Sequence, residues 1–445
     1  MQLTDWEAAA AVYLPLTAAL ILRLLNRNRA KQFAACLLSL LWVVPALLAV
    51  QAINLRTGWW TFSGDSVRFR GMPIECFAGW AILWGLVPQL ALPRLGVCWL
   101  AALMVTTDLI AMPLCRPLVL LGPHWLIGEA LAALVVLAPA LLIAEWTMSG
   151  THLRARAAFQ AATSALLFLY FVPETAFALR PGAGWASFFL LPSWIGQVGI
   201  QVLLLLAVPG VSAVMEFATR GGGTPIPYDP PRRLVTSGIY RYCANPMQMS
   251  CAAVMLGWAG LLQNGWLALA AILSAIYGAG IAEWDEREDL ARRFGNDWRE
   301  YRAAVHNWRF RWKPYYSGPN ATIYIAASCG PCSELRAWLE ARGPVGLRII
   351  DAEVLPPGAI RRVRYASADG NSDVEGIRAM GRALEHLNFG WAFAGFVLSL
   401  PGIWQVVQLL MDASGLGPRV VARRQGSESA PNWRQNSAEP DLDRQ

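Results

Sequence analysis

Charge is what this sequence has least of. Only 15% of its 445 residues are charged, 56% are hydrophobic, and the mean hydropathy is +0.38. A water-soluble domain carries roughly 25% charged residues, so a chain folded wholly in water is excluded. No cleavable leader is evident either: the first apolar run follows Asp5 and Glu7, where a leader needs positive charge. A disulfide framework is also missing. Of the eight cysteines, Cys36, Cys76, Cys98, Cys115, Cys243 and Cys251 are scattered, and only Cys329 and Cys332 are paired by spacing. A zinc site around that pair would need two further ligands. There is no second CxxC and the only nearby histidine is His386, so no metal is expected. The formal net charge of +7 comes without a basic, aromatic-interleaved stripe. Its carriers lie between apolar runs: Arg27, Arg29 and Lys31, then Arg154 and Arg156, then Arg220, Arg232, Arg233 and Arg241. That placement follows the positive-inside rule, and nucleic acid is not an expected partner.

What fills the chain is apolar. A bilayer core about 30 Å thick takes about 20 apolar helical residues to cross. Such runs stand near 8–25, 33–53, 73–92, 95–113, 124–147, 157–178 and 185–210. Two shorter runs, near 248–262 and 265–282, are separated only by Gln263 and Asn264 and predict a tight hairpin. The expected fold is an α-helical polytopic membrane protein of about nine spans, followed by a small C-terminal α/β domain. Four segments result: a membrane bundle over 1–210, a hairpin with juxtamembrane motifs over 211–318, the small domain with an apolar C-terminal helix over 319–415, and a tail over 416–445. The Arg-, Ser- and Asn-rich tail is expected to be disordered. The apolar run Phe389 to Met411, with Pro401-Gly402 at its middle, can cross the membrane, lie on it or pack on the small domain. Loop charges place the N-terminus outside and everything after Glu283 in the cytosol, in a bacterial inner membrane. Arg56, Arg68 and Arg70 would then lie outside, against the rule.

The stretch Thr236 to Met247, reading TSGIYRYCANPM, is a polar, Gly- and Pro-punctuated entry into the hairpin. Glu286 to Gly295, then Trp298 and Tyr301, form a charged exit. Together they bring Arg, Tyr, Asn and carboxylates to one membrane edge. A site holding a charged cofactor beside a lipid-borne substrate needs that arrangement, because irregular polar backbone is tolerable there only where protein buries it or it lines a cavity.

At these residues, over roughly 225–315, the sequence resembles the isoprenylcysteine carboxyl methyltransferase and phospholipid methyltransferase superfamily. Gly238, Tyr240, Arg241, Asn245 and Pro246 match the first half of its motif, and Glu286, Leu290, Phe294, Gly295 and Tyr301 the second. The resemblance implies S-adenosylmethionine at the cytosolic face and a lipid-soluble acceptor, isoprenoid or phospholipid-like. Tyr240, Asn245, Pro246, Gly257 and Tyr301 would bind the cofactor, and Arg241 and Glu286 would act in catalysis. The sequence departs from the family at Ala244, Gln248, Ser250 and Arg287, which puts activity in question more than fold. Tyr240 and Tyr301 can equally be residues of an interfacial aromatic belt.

Ala321 to Ala327 reads as a buried strand, Ser328 as a helix cap, and Cys329-Gly-Pro-Cys332 as the start of a helix through Arg342, with a second strand at Leu347 to Asp351. A helix N-terminus favours a thiolate, so Cys329 is placed to attack a disulfide and Cys332, one turn on, to resolve the mixed disulfide. The CxxC between strand and helix is the thioredoxin-like redox pattern. Residues 320–412 resemble the thiol-disulfide oxidoreductase DCC family, through that opening, the Asp369-Gly370 turn, the helix Gly376 to Leu384 and the Leu400-Pro-Gly-Ile403 run. Ala326 stands where the family has Asp, and Pro356 and Pro357 lie too early for its cis-proline. The partner implied is a disulfide-bearing protein or a small thiol.

Within the spans, Glu75, Asp108, Glu129 and Glu145, with His124 at an edge, are ionisable groups that suggest function at such depth. Trp59-Trp60-Thr61-Phe62 and Pro73-Ile-Glu-Cys-Phe77 weakly resemble the lycopene cyclase-type carotenoid membrane family, with Cys76 in place of a second Glu. Three readings are therefore carried forward: a membrane methyltransferase with an appended redox domain, a membrane-anchored thiol-disulfide oxidoreductase with an inactive methyltransferase core, and an isoprenoid-modifying enzyme.

Overall fold

The computed structural model of the chain describes residues 3–25, 30–64, 66–116, 118–180, 184–224, 231–356, 359–368, 370 and 373–418. The side chains of 3–5, 30 and 281–286 lie outside that description. So do the expected turn residue Asp369, Pro357, the tail from 419 onward, and Arg27 and Arg29 of the first basic loop.

Among the described residues, seven helices are long and apolar enough to cross a bilayer: Trp6–Leu25, Lys31–Thr57, Ile74–Ala91, Val97–Leu114, Trp125–Ser149, Leu153–Ala178 and Ser193–Gly221. With the composition, they make this a multi-pass membrane protein. The expectation of nine spans needs correction at the hairpin. Its helices, Pro246–Leu261 and Gly265–Tyr277, have 16 and 13 residues. At about 1.5 Å per residue the first is roughly 24 Å long, short of a bilayer core. The second has its apolar stretch over Gly265–Gly280 and runs on through Gly278–Ala282 into Glu283–Ala304, so neither is among the seven.

The chain divides into two compact units. The first comprises Met1–Gly199, Gly222–Arg232 and Met255–Ala271. Its core gathers Val43, Leu47, Trp84, Leu137 and Leu141. A two-stranded antiparallel ribbon, Trp60–Phe62 with Val119–Leu121, lies beside these helices. The Asn54 amide satisfies the ribbon's start, donating to the Trp60 carbonyl (2.9 Å) and accepting the Trp60 N–H (3.0 Å). At the hairpin turn Gln263 takes a positive φ of 50° and the Asn264 side chain caps the second helix, accepting the N–H groups of Trp266 (3.0 Å) and Leu267 (3.2 Å).

The second unit comprises Ile200–Gly221, Arg233–Val254 and Ile272–Gln445. It holds a four-stranded sheet in the order Leu347–Asp351, Ala321–Ile325, Arg364–Ala366, Asp373–Glu375. The first pair is parallel, joined by the crossover helix Gly330–Glu340, and the other two pairs are antiparallel. Alternation along Ala321–Ile325 puts Ala321, Ile323 and Ile325 into a core with Leu339, Tyr365 and Ala383. The helices Phe389–Ser399 and Ile403–Leu416 meet at a bend of 91° across Pro401-Gly402. Residues on both sides of position 318 share one core: Val208, Ile239, Tyr240 and Tyr242 pack with Ala392 and Phe396.

Candidate functional site

Two constellations in the second unit contain most of the cofactor, catalytic and redox residues singled out by sequence. The first is built on the tight turn Gly238–Arg241, which brings the chain to the start of the hairpin helix at Pro246. Gly238 has φ +60°, and a Cβ there would lie 2.9 Å from the Glu216 carboxyl carbon, so only glycine fits. Glu216 is buried and fully engaged. Its Oε1 accepts the Ser237 hydroxyl (2.5 Å) and pairs with Arg220 (2.9 Å), and its Oε2 pairs with Arg382 (2.8 Å). Arg382 also reaches both Glu385 oxygens at 3.2 Å. Burial opposes the charge on Arg382, but Glu216 and Glu385 outweigh it and hold the guanidinium protonated. Burial pushes the Glu385 carboxyl up, with Arg382 opposing it.

Arg241 is only 4% exposed. Its carbonyl accepts the Tyr315 N–H (2.9 Å), and its guanidinium carbon lies 4.9 Å from the centre of the Tyr316 ring. Its Nε and Nη1 find no hydrogen-bond partner among the described residues. Next to it, His386 is fully buried between the Val345 carbonyl, 2.7 Å from Nδ1, and the Tyr365 hydroxyl, 3.0 Å from Nε2. A carbonyl only accepts, so Nδ1 carries the proton and Nε2 receives the Tyr365 O–H. Burial, and then the positive charge of Arg241, hold His386 well below its ordinary pKa and keep it neutral.

The remaining expected cofactor and catalytic residues fall into distinct roles. Tyr301 is buried and donates its hydroxyl to the Tyr240 carbonyl (2.8 Å), a structural bond that locks the exit helix onto the entry turn. Burial also pushes the Tyr301 hydroxyl well above its usual pKa. The Tyr240 ring packs in the core, near Phe217. Asn245 is half-buried and Pro246 is buried at the helix start. Gly295 bends the exit helix with φ +55°, which accounts for glycine in that motif position. Glu286 stands in the first turns of Glu283–Ala304, and its side chain lies outside the described residues. Gly257 belongs to the first unit, whereas Tyr240, Arg241, Asn245, Pro246 and Tyr301 belong to the second. Two of the four departures from the family pattern have local reasons. Ser250 donates to the Leu206 carbonyl (2.5 Å) opposite Gly210, and Ala244 packs beside Tyr301.

The second constellation is the CxxC pair. The helix starts at Gly330 with Cys329 as its N-cap, in extended conformation (φ −105°, ψ 122°). This corrects the expectation that Ser328 caps it. The Ser328 hydroxyl is spent on Glu353 (2.8 Å), which also accepts the N–H groups of Ser328 (2.9 Å) and Ala327 (3.1 Å). Burial alone would raise Glu353, but these bonds outweigh it and hold the carboxyl below its ordinary range. The two cysteines are free thiols, both half-buried, with their sulfurs 2.7 Å apart. Cys329 is therefore no more open to solvent than Cys332.

Glu216, Ser237, Arg382, Glu385 and Glu353 were not legible as functional from sequence. The one available signal was the number of acidic and basic residues at element ends in so charge-poor a chain. In the first unit, Asp108 and Glu129 are buried, and the Trp80 indole donates to Asp108 at 3.4 Å. His124 is exposed, so it shares no face with Glu129.

With this geometry in view, comparison with known proteins adds one finding. A phospholipid methyltransferase family model matches residues 194–297, the stretch that contains Glu216, Arg241, the hairpin and the exit helix as far as residue 297, short of Tyr301. No curated protein and no solved structure matches the chain. The match supports a membrane methyltransferase-type function.

Proposed function

We propose that this chain is an integral membrane methyltransferase that uses S-adenosylmethionine and acts on a lipid-soluble acceptor, isoprenoid or phospholipid-like. A thiol-disulfide redox module is appended through Cys329 and Cys332. The observation that carries the first part is the buried Arg241 guanidinium, with two nitrogens unpartnered among the described residues, inside the family-matched stretch. A buried guanidinium nitrogen without a partner is costly, and an anionic oxygen acceptor such as a carboxylate offsets that cost best. The amino-acid end of S-adenosylmethionine carries such a carboxylate. When bound, the cofactor supplies a methyl group on a sulfonium. Arg241 would anchor and orient it, with Tyr316 covering the guanidinium face. The Tyr301 bond to Tyr240 would hold the turn that presents Arg241.

Thermal unfolding of the purified protein should rise with S-adenosylmethionine, by about 2.7 kcal/mol at one hundred times Kd. Arg241→Gln should weaken that binding roughly tenfold or more, because a charged hydrogen bond contributes about 1.5–3 kcal/mol. Host lipids should acquire label from a radiolabelled methyl donor. No stabilisation at saturating cofactor and no labelled lipid would sink this reading.

A second reading, in which the redox pair carries the function and the methyltransferase core is inactive, is favoured by the structural use of Tyr301 and Tyr240. The redox module itself is supported by the strand order and the 2.7 Å approach of the two sulfurs. Its thioredoxin-like character rests on the βαβ opening followed by two antiparallel strands and a helix. Lipid labelling separates the two readings.

A further inference from the structure

Beside Cys329 and Cys332 lies a cavity of about 490 Å³, a volume in the range of small-molecule sites. Its walls are apolar: Leu335, Met380, Leu384, Leu398 and Met411 line it with the two thiols. Several polar side chains at the wall are engaged with the protein, while the Arg362 Nε has no hydrogen-bond partner among the described residues. Ser328 donates to Glu353, Arg362 pairs with Asp412 (2.6 Å), and Gln408 accepts the Ile377 N–H (2.9 Å) and donates to Asp412 (2.8 Å). What remains is an apolar chamber whose reactive groups are two thiols, with exposed Arg361 on its wall.

The helix Ile403–Met411 forms one wall and has two distinct faces. Gln408 and Met411 face the cavity. Val406, Leu409 and Leu410 point outward and are 57%, 68% and 65% exposed. In a membrane protein, an exposed apolar face on a bent, broken helix belongs at the lipid boundary. The wall of the thiol cavity is thus a lipid-facing helix, which offers entry to a membrane-soluble molecule and little to a solvated peptide.

We infer that the cysteine pair reacts with a lipid-soluble quinone bound in this cavity. The inference rests on the redox reading above. In the step, the two S–H bonds of Cys329 and Cys332 break and one S–S bond forms. The two electrons and two protons released pass to the quinone, whose two carbonyl oxygens become the hydroxyls of the quinol. A quinone is apolar, takes both electrons and both protons at once, and is a stronger oxidant than a protein disulfide. These properties match a mostly apolar chamber whose reactive groups are two thiols.

The test uses the pre-reduced full chain in nanodiscs with decylubiquinone, whose substituted ring resists thiol addition. Peptide mass spectrometry should find the Cys329–Cys332 disulfide and no quinone adduct, with one quinone reduced per protein. Cys329→Ser and Cys332→Ser should each abolish the reaction. Met380→Trp, or Met411→Trp should the first variant misfold, overfills the cavity. Either should slow the quinone reaction by roughly tenfold or more while leaving oxidation by hydroxyethyl disulfide unchanged, which also reports that the domain is folded. If the soluble disulfide oxidised the pair and the quinone did not, this inference would fail and the redox reading would stand. An equal quinone rate in the overfilled variants would remove the cavity from the reaction. A pair inert to both oxidants would end both readings.

Discussion

At the scale of single residues, the site is defined by which polar atoms are satisfied. Arg241 and Glu353 are opposites in this respect. Arg241 is buried with donors to spare, whereas Glu353 accepts three hydrogen bonds and fixes the loop that leads into the CxxC helix. Glu353→Gln should lose about 1–3 kcal/mol at neutral pH, since an amide has one acceptor oxygen where the carboxylate has two. The pH dependence follows from the direction of the shift. The folded-state pKa lies below the ordinary value of 4.5, so the carboxylate's contribution is complete above that value. It is lost as pH falls through the folded pKa. Thermal unfolding of parent and variant across the acid range should therefore converge as pH falls. A gap that stayed constant would mean the carboxylate's charge is irrelevant there.

At the scale of elements, the helix Ile377–Leu384 serves two environments. Ile377, Met380 and Leu384 face the thiol cavity, while Arg382, with Glu385 just beyond the last turn, enters the buried ion network with Glu216. Arg382→Ala leaves two buried carboxylates short of a partner. It should cost about 3 kcal/mol or more, tempered by the Arg220 and Ser237 contacts that Glu216 keeps. The part-exposed pair Arg336–Glu340, one turn apart on the CxxC helix, should cost under about 1 kcal/mol when Glu340 becomes alanine, since Arg336 keeps Asp351. Chemical denaturation of the two variants checks the contrast. Similar losses would mean the network is solvated and contributes no more than a surface pair.

At the scale of the whole molecule, orientation follows from loop charge. A phosphatase active only in the periplasm, fused after Pro319, should be silent, and one fused at Val67 should be active. Strong activity after Pro319 would invert the topology and place Cys329 and Cys332 in an oxidising compartment. What sequence alone determined was whatever depends on local pattern. Apolar runs longer than a bilayer is thick could only become helices, and CxxC between a β-rich run and a helical one could only sit at a strand–helix junction. Tertiary structure decided what depends on partners distant in sequence. The first hairpin helix failed to reach a full span, because where a helix stops is set by packing and capping as well as by hydropathy. Ser328 gave up its cap for Glu353, 25 residues away. Tyr301 was claimed by a carbonyl 61 residues off, and Glu216 by an arginine more than a hundred residues later. A buried polar group takes whichever partner the fold brings within reach, and no spacing rule along the chain encodes that choice.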